Sequence, residues 1–416
     1  MDQSMPKAAP GKAGYHAPFA VMTTLFFIWG FITALNDILI PHLKAAFELS
    51  YTQAMLVQFC FFGAYFLVAP FAGKLIERIG YLKGVITGLS IMATGCLLFY
   101  PAAELGVYGL FLAALFILAS GITILQVSAN PYVAILGPQN TAASRLNLAQ
   151  AINSLGHTLG PLFGALLIFG ALQETTADAT AVQLPYLILA GFIIVTACTF
   201  KMLHLPDVEA PHPENEISSE NDSIWRHPTL LFGALAIFLY VGAEVSIGSF
   251  LVNYFSEDHI GQMSEHQAGR MVSYYWGAAM IGRFVGAALT RFVPPAYVLA
   301  SNALLAICMV LISVFSEGDL AVWSIIGVGF FNSIMFPTIF SLAIRGLGPL
   351  TSRGSGLLCQ AIVGGAIIPL FQGLVADSFN VQVSFLVPAL AYTYITWYAL
   401  SGSKQPVSKS YAGITS

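Results

Sequence analysis

The sequence predicts an all-α integral membrane protein, with twelve transmembrane helices in two pseudo-symmetric six-helix bundles. Three observations predict this. Charge is scarce: sixteen Lys or Arg and twenty Asp or Glu make up 9% of 416 residues, against about 25% in soluble domains. Apolar residues reach 57%, and the mean hydropathy is +0.78. The apolar residues also form continuous runs near the roughly 20 residues that cross a bilayer as helix. A soluble protein of this size could not cover its surface with so few charges. A soluble enzyme and a disordered chain are therefore excluded, as is a nucleic-acid binder, which needs a basic face. Barrel strands would alternate polar and apolar residues, and these runs do not.

Twelve spans follow in order: 19–40, 54–72, 84–100, 107–134, 146–170, 184–203, 228–254, 267–289, 295–315, 321–344, 355–376 and 380–401. The first 18 residues are polar, with Lys7 and Lys12. The first apolar run is full length, so it reads as an uncleaved span rather than a signal peptide. An N-terminus in the cytoplasm puts fourteen of the sixteen Lys and Arg on or near the cytoplasmic side, with Arg145, Arg283 and Arg353 among them. Only Lys44 and Arg270 fall outside. This bias supports an even number of spans and two cytoplasmic termini. The expected location is a cell membrane, as a multi-pass protein of a bacterial inner membrane.

The interval 204–227 is acidic and poor in apolar residues, so a flexible cytoplasmic linker is expected there. It separates an N-terminal bundle, 1–203, from a C-terminal bundle, 228–416. The five cysteines lie in apolar runs without C-x-x-C spacing and read as small hydrophobes.

The halves repeat weakly, as two parallel six-helix units would. Gly63-Ala64 corresponds to Gly277-Ala278. Aligning Pro131 with Pro337 sets Gln126 opposite Asn332, and AQAI (149–152) against CQAI (359–362) sets Gln150 opposite Gln360. Duplicated polar positions in apolar helices suggest two half-sites facing one central cavity. After span two, GKLIERIGYLKG (73–84) reads as a loop in which Gly73 allows close helix contact and Gly80 turns the chain.

Of the acidic residues, Asp37 and Glu244 sit well inside spans, with no mid-span Lys or Arg near them. A charge at the bilayer centre costs about 2.5–3.5 kcal/mol on insertion scales, so an intramembrane carboxylate is a functional candidate. Amides are numerous in or near spans, including Asn36, Gln126, Asn130, Asn147, Gln150, Asn153, Asn332 and Gln360. Each both donates and accepts, which suits sugar hydroxyls. Trp29, Trp276, Tyr240 and Tyr275 are candidates for stacking on a sugar face. Gln126 and Asn130 share one helical face, as do Gln150 and Asn153. Pro131 should kink span four beside the amide pair. His157, four residues beyond Asn153, reads as a packing histidine, with a place in the lining of the same cavity as the alternative.

These residues bring a resemblance with them. The segments NDILIPHLKAAF (36–47), LQVSANPYVAILGP (125–138), RLNLAQAINSLG (145–156), YVGAEVSIGSFLVNY (240–254) and FPTIFSLAIRGLG (336–348) resemble the fucose–galactose–glucose symporter family of the major facilitator superfamily. The 73–84 segment resembles that superfamily's loop signature, with Glu77 in place of the usual Asp. The resemblance implies the major facilitator fold, a central sugar site and rocker-type alternating access. In the fucose–proton member, the Asp of N-D-I-L and a Glu in the L-E-x-x-A-N-P stretch are the key carboxylates. Asp37 matches the Asp, whereas the Glu position is Gln126, which cannot carry a proton. The L-Q-V-x-A-N-P form looks like the glucose/galactose branch, for which sodium coupling is expected.

The resulting expectation is a secondary active transporter, not an enzyme, that imports glucose or galactose with Na⁺. H⁺-coupled hexose or fucose symport is the alternative, and a membrane sugar sensor a weaker one. Gln126, Asn130, Gln150, Asn153, Glu244, Asn332 and Gln360 are the expected sugar ligands. Asp37, with Asn36 and Thr33, is the expected Na⁺ site. The partners expected are a monosaccharide, the coupling cation and the lipid bilayer, with no cofactor, no nucleic acid and a monomeric state.

Overall fold

In a computed structural model of the chain, the described residues are 15–47, 51–164, 183–203, 205–206 and 223–404. At 35–46, 51–55, 161–164 and 265–266 the description covers the backbone alone. The described residues form twelve long helical segments. They are α1 His16–Ala46, α2 Tyr51–Ile79, α3 Tyr81–Leu105, α4 Tyr108–Ile135, α5 Ala142–Gly164 and α6 Gln183–Met202. The second half holds α7 Pro228–Ser256, α8 Glu265–Phe292, α9 Pro295–Phe315, α10 Gly318–Ala343, α11 Gly348–Ser378 and α12 Val381–Gly402. The acidic tract of the expected linker falls at 207–222, outside the described residues.

Several helices outrun the apolar stretches that announce them. α2 continues to Ile79 and absorbs Lys74, Glu77 and Arg78, so most of the expected 73–84 loop is helical. These residues are good helix formers, so the helix runs on where the apolar stretch ends. The turn shrinks to Gly80, at φ +83°, a conformation that a residue without Cβ adopts freely. Pro131 leaves α4 as one continuous helix. Its repeat partner Pro337 sits beside a real break, where α10 divides into Gly318–Asn332 and Met335–Ala343.

In the first bundle α1 lies along α5, and α3 packs on α4 and α6. The α1–α5 seam is backbone against backbone. A Cβ added at Gly30 would stand 2.1 Å from the Asn153 carbonyl oxygen, and one at Gly156 would stand 2.2 Å from that of Phe27. Small residues of this kind let membrane helices approach closely. In the second bundle α7 packs on α11 and α12, and α9 packs on α10 and α12. The bundles meet through α2 with α11 and α5 with α8. Large apolar side chains such as Phe59, Phe71, Phe315 and Leu370 stand exposed on the outside, as a lipid-facing surface requires.

Among the described residues, ten of the twelve segments contain a stretch apolar enough to span a membrane by composition. α8, with Arg270 and Arg283, is not one of them, and the described part of α5 ends at Gly164, before the apolar residues 165–170. α5 and α8 face each other across the centre.

Candidate functional site

A cavity of about 590 Å³ lies between the bundles, within the range of roughly 300–1,000 Å³ usual for small-molecule sites. From the first bundle it receives Trp29 and Thr33 of α1, Gln58 and Tyr65 of α2, Gln126 of α4, and Gln150, Asn153, Ser154 and His157 of α5. The second contributes Tyr240, Glu244 and Ser249 of α7, and Trp276 and Arg283 of α8.

Several of these groups are held in place. Gln126 Nε2 donates to the Tyr65 hydroxyl. Asn153 Nδ2 donates to the Phe26 carbonyl at 2.8 Å across the α1–α5 seam. The Thr33 hydroxyl donates to the Trp29 carbonyl at 2.9 Å. Gln150 is buried, and its Nε2 has no hydrogen-bond partner among the described residues, so a donor stands ready at the cavity wall. Trp276 lies across from His157, with ring centroids 6.5 Å apart.

Arg283 is the junction of the site. Its Nη2 lies 3.4 Å from Glu244 Oε1, its Nη1 donates to the Ser154 hydroxyl of the opposite bundle, and its Nε donates to the Ser333 carbonyl at 3.2 Å. The expectation of a cytoplasmic Arg283, and of a Glu244 with no mid-span cation nearby, is thereby corrected. A buried carboxylate needs a partner, because an isolated charge in a low dielectric is very costly, and α8 supplies it. His157 takes the alternative of its two readings, since it lines the cavity.

Of the other expected ligands, Thr33, Gln126, Gln150, Asn153 and Glu244 converge on the cavity. Asn130 is fully buried on α4 beyond its lining, with neither amide atom hydrogen-bonded among the described residues. Asn332 is also fully buried. Its Nδ2 donates to the hydroxyls of Tyr275 at 2.7 Å and Tyr392 at 3.2 Å, which also takes Tyr275 away from a stacking role. Gln360 donates from Nε2 to the Phe66 carbonyl at 3.2 Å. The two amide half-sites expected from the repeat are thus not symmetric. The first bundle presents amides, the second a carboxylate and a guanidinium, and both present aromatic rings. The side chains of Asn36 and Asp37 fall outside the described residues.

At one end the bundles are in direct contact. This is the end where α6 finishes and α7 begins, here the linker end. The Ser144 hydroxyl donates to the Ala287 carbonyl at 2.6 Å, and Asn147 Nδ2 donates to the Thr338 hydroxyl at 3.2 Å. Arg353 Nε meets Glu77 Oε2 at 2.7 Å, a half-exposed pair of the kind worth about 0.2–1 kcal/mol. Arg145 does not join this seam. It bonds the Val133 carbonyl at 3.0 Å and the Pro138 carbonyl at 2.9 Å, capping the C-terminal turn of α4.

Two helical bundles around a mid-membrane polar cavity, sealed at one end, define a secondary-transporter architecture. The Major Facilitator Superfamily profile matches residues 19–358. The glucose/galactose transporter of Brucella abortus biovar 1 (strain 9-941) is 56% identical over 94% of this chain and 96% of its own length. The L-fucose-proton symporter of Escherichia coli (strain K12) is 35% identical over 95% of each. The crystal structure of the transporter FucP in the outward conformation superposes with a TM-score of 0.86 at 34% identity, covering 94% of this chain and 100% of that one. The chain belongs to the fucose–galactose–glucose symporter family of the major facilitator superfamily.

Proposed function

We propose that the protein imports a hexose, glucose or galactose, by cation-coupled symport with alternating access. The observation that carries this is the cavity itself: amides on one wall, Glu244 with Arg283 on the other, and Trp29, Trp276 and Tyr240 in the lining. Amides and a carboxylate meet ring hydroxyls as donors and acceptors, and the aromatic rings cover the apolar face of the sugar. Gln126, Gln150, Asn153 and Glu244 are the proposed sugar ligands. The name of the Brucella relative supports the hexose assignment.

The proposed coupling ion is Na⁺, with Asp37 as the charged ligand and Thr33 and Asn36 as neutral oxygen ligands. Support comes from Gln126, which holds no proton where the fucose–proton relatives are expected to carry Glu. Na⁺ neutralises Asp37, and this lowers the cost of closing the cavity over a buried charge. Sugar then bridges the bundles, and they rock about it. The sealed linker end is assigned to the cytoplasmic side, so this state faces outward, and the chain works as a monomer in a bacterial inner membrane. Proton coupling is the second reading, favoured by Glu244 as a titratable group in the cavity and by the name of the Escherichia coli relative.

Counterflow in proteoliposomes, with a panel of sugars and with Na⁺ or choline on both sides, tests both parts. Hexose exchange that Na⁺ stimulates supports the reading. Exchange that ignores Na⁺ and follows pH moves the coupling to H⁺, and exchange of fucose alone removes the hexose assignment.

A further inference from the structure

In an α-helix each carbonyl accepts from the N–H four residues later. Proline has no N–H, so the carbonyl four residues before a mid-helix proline loses its partner. α2 and α4 contain Pro70 and Pro131. The carbonyls they free belong to Phe66 and Val127. Each takes a side-chain donor from another helix: Gln360 Nε2 at 3.2 Å and the Ser355 hydroxyl at 2.9 Å. Both donors stand on one helix, α11, and both reach across to the opposite bundle.

Glycines make that reach possible. A Cβ at Gly356, between the two donors, would stand 2.7 Å from the Ala69 carbonyl oxygen, and one at Gly73 would stand 2.9 Å from that of Ser352. α2 and α11 therefore touch backbone to backbone just where Pro70 exposes an acceptor. Gln360 is the repeat counterpart of Gln150, yet it does not line the cavity. Its amide is spent on the seam.

We propose that Gln360 and Ser355 are gate residues. They fasten α11 to the backbone carbonyls that Pro70 and Pro131 free, hold the linker end shut while the cavity is open, and let go once per cycle. Such a bond suits a reversible gate. Both partners are neutral, so parting strands no charge, and water entering the opened cleft can solvate the released carbonyl. The inference rests on the alternating-access reading above, but not on which sugar or ion is carried.

The test is cysteine alkylation in proteoliposomes, in a background with the five native cysteines replaced by alanine, and without sugar. Ala287→Cys reports the sealed seam and Ser249→Cys the open cavity. Gln360→Leu should raise labelling at position 287 by roughly threefold to tenfold, the effect of one neutral hydrogen bond, and lower it at 249. Ser355→Ala should act in the same direction. Pro70→Ala should match Gln360→Leu, because the restored N–H reclaims the Phe66 carbonyl. The double variant should be no worse than either single one, since both remove the same bond. If one variant fails to fold, the others carry the same readout. Unchanged labelling at 287, or effects of Pro70→Ala and Gln360→Leu that simply add, overturns the proposal. Loss of glucose binding with labelling unchanged makes Gln360 a sugar ligand instead. Because labelling is read without substrate, a wrong sugar or ion leaves this result standing, and a failed gate leaves the sugar assignment standing.

Discussion

Glu244 and Arg283 show how far a single side chain can be read. Glu244 is conspicuous in the sequence, because a carboxylate deep in an apolar run demands an explanation. Arg283 is hidden by its place six residues before the end of its apolar run, where a snorkelling cation is ordinary. Its partners Ser154 and Ser333 are distant in sequence, and no spacing rule links them. Glu244→Gln removes the charge beside Arg283 and weakens an acceptor for sugar. Hydrogen bonds to charged groups contribute about 1.5–3 kcal/mol, so counterflow should fall by about tenfold or more. Unchanged counterflow would take Glu244 out of the site. Asn332→Leu makes the contrasting case. It leaves the buried hydroxyls of Tyr275 and Tyr392 without their common donor, which should cost about 1–3 kcal/mol of stability and lower the melting temperature. Sugar affinity should stay within about twofold, and a larger loss would bring Asn332 back to the cavity.

Helices tell a different story from residues. All twelve were readable as runs, yet α8 is too polar to count by composition. Its polarity, with Arg283, marks one wall of the cavity. The ends were less legible, because α2 extends past the apolar run to Ile79 through residues that favour helix in water. The α1–α5 seam depends on glycines whose spacing is visible but whose facing partner is not. Gly30→Val would drive its side chain into the Asn153 carbonyl, 2.1 Å from the first added carbon. Overpacking of this kind costs about 1–3 kcal/mol. A lower melting temperature in detergent, together with loss of transport, is the expected result. Wild-type stability would mean that α1 and α5 separate without cost.

The whole molecule couples a cavity open on one side to a seam closed on the other. Coupling to an ion belongs to this scale, since it asks which states of the bundle pair are allowed. Asp37→Asn should abolish concentrative uptake driven by a Na⁺ gradient and leave sugar exchange within about threefold, about what one weakened contact would change. Uptake and counterflow measured on the same proteoliposomes separate the two. Equal loss of both would deny Asp37 a separate coupling role.

The sequence by itself determined the membrane class, the twelve helices, the family and the candidacy of Gln126, Gln150, Asn153 and Glu244. Composition suffices for the class and the helices, because the bilayer constrains length and polarity along the chain; the family came from segments that resemble it, such as LQVSANPYVAILGP (125–138). Only the tertiary structure decided which amides face the cavity. Gln150 and Gln360 are the same residue at repeat-related positions, and Gln126 and Asn332 are nearly so. What separates them is how each helix is rotated against its neighbours. That rotation is set by long-range contacts: Gly356 against Ala69, Tyr275 and Tyr392 around Asn332, and a carbonyl freed by Pro70 within reach of Gln360.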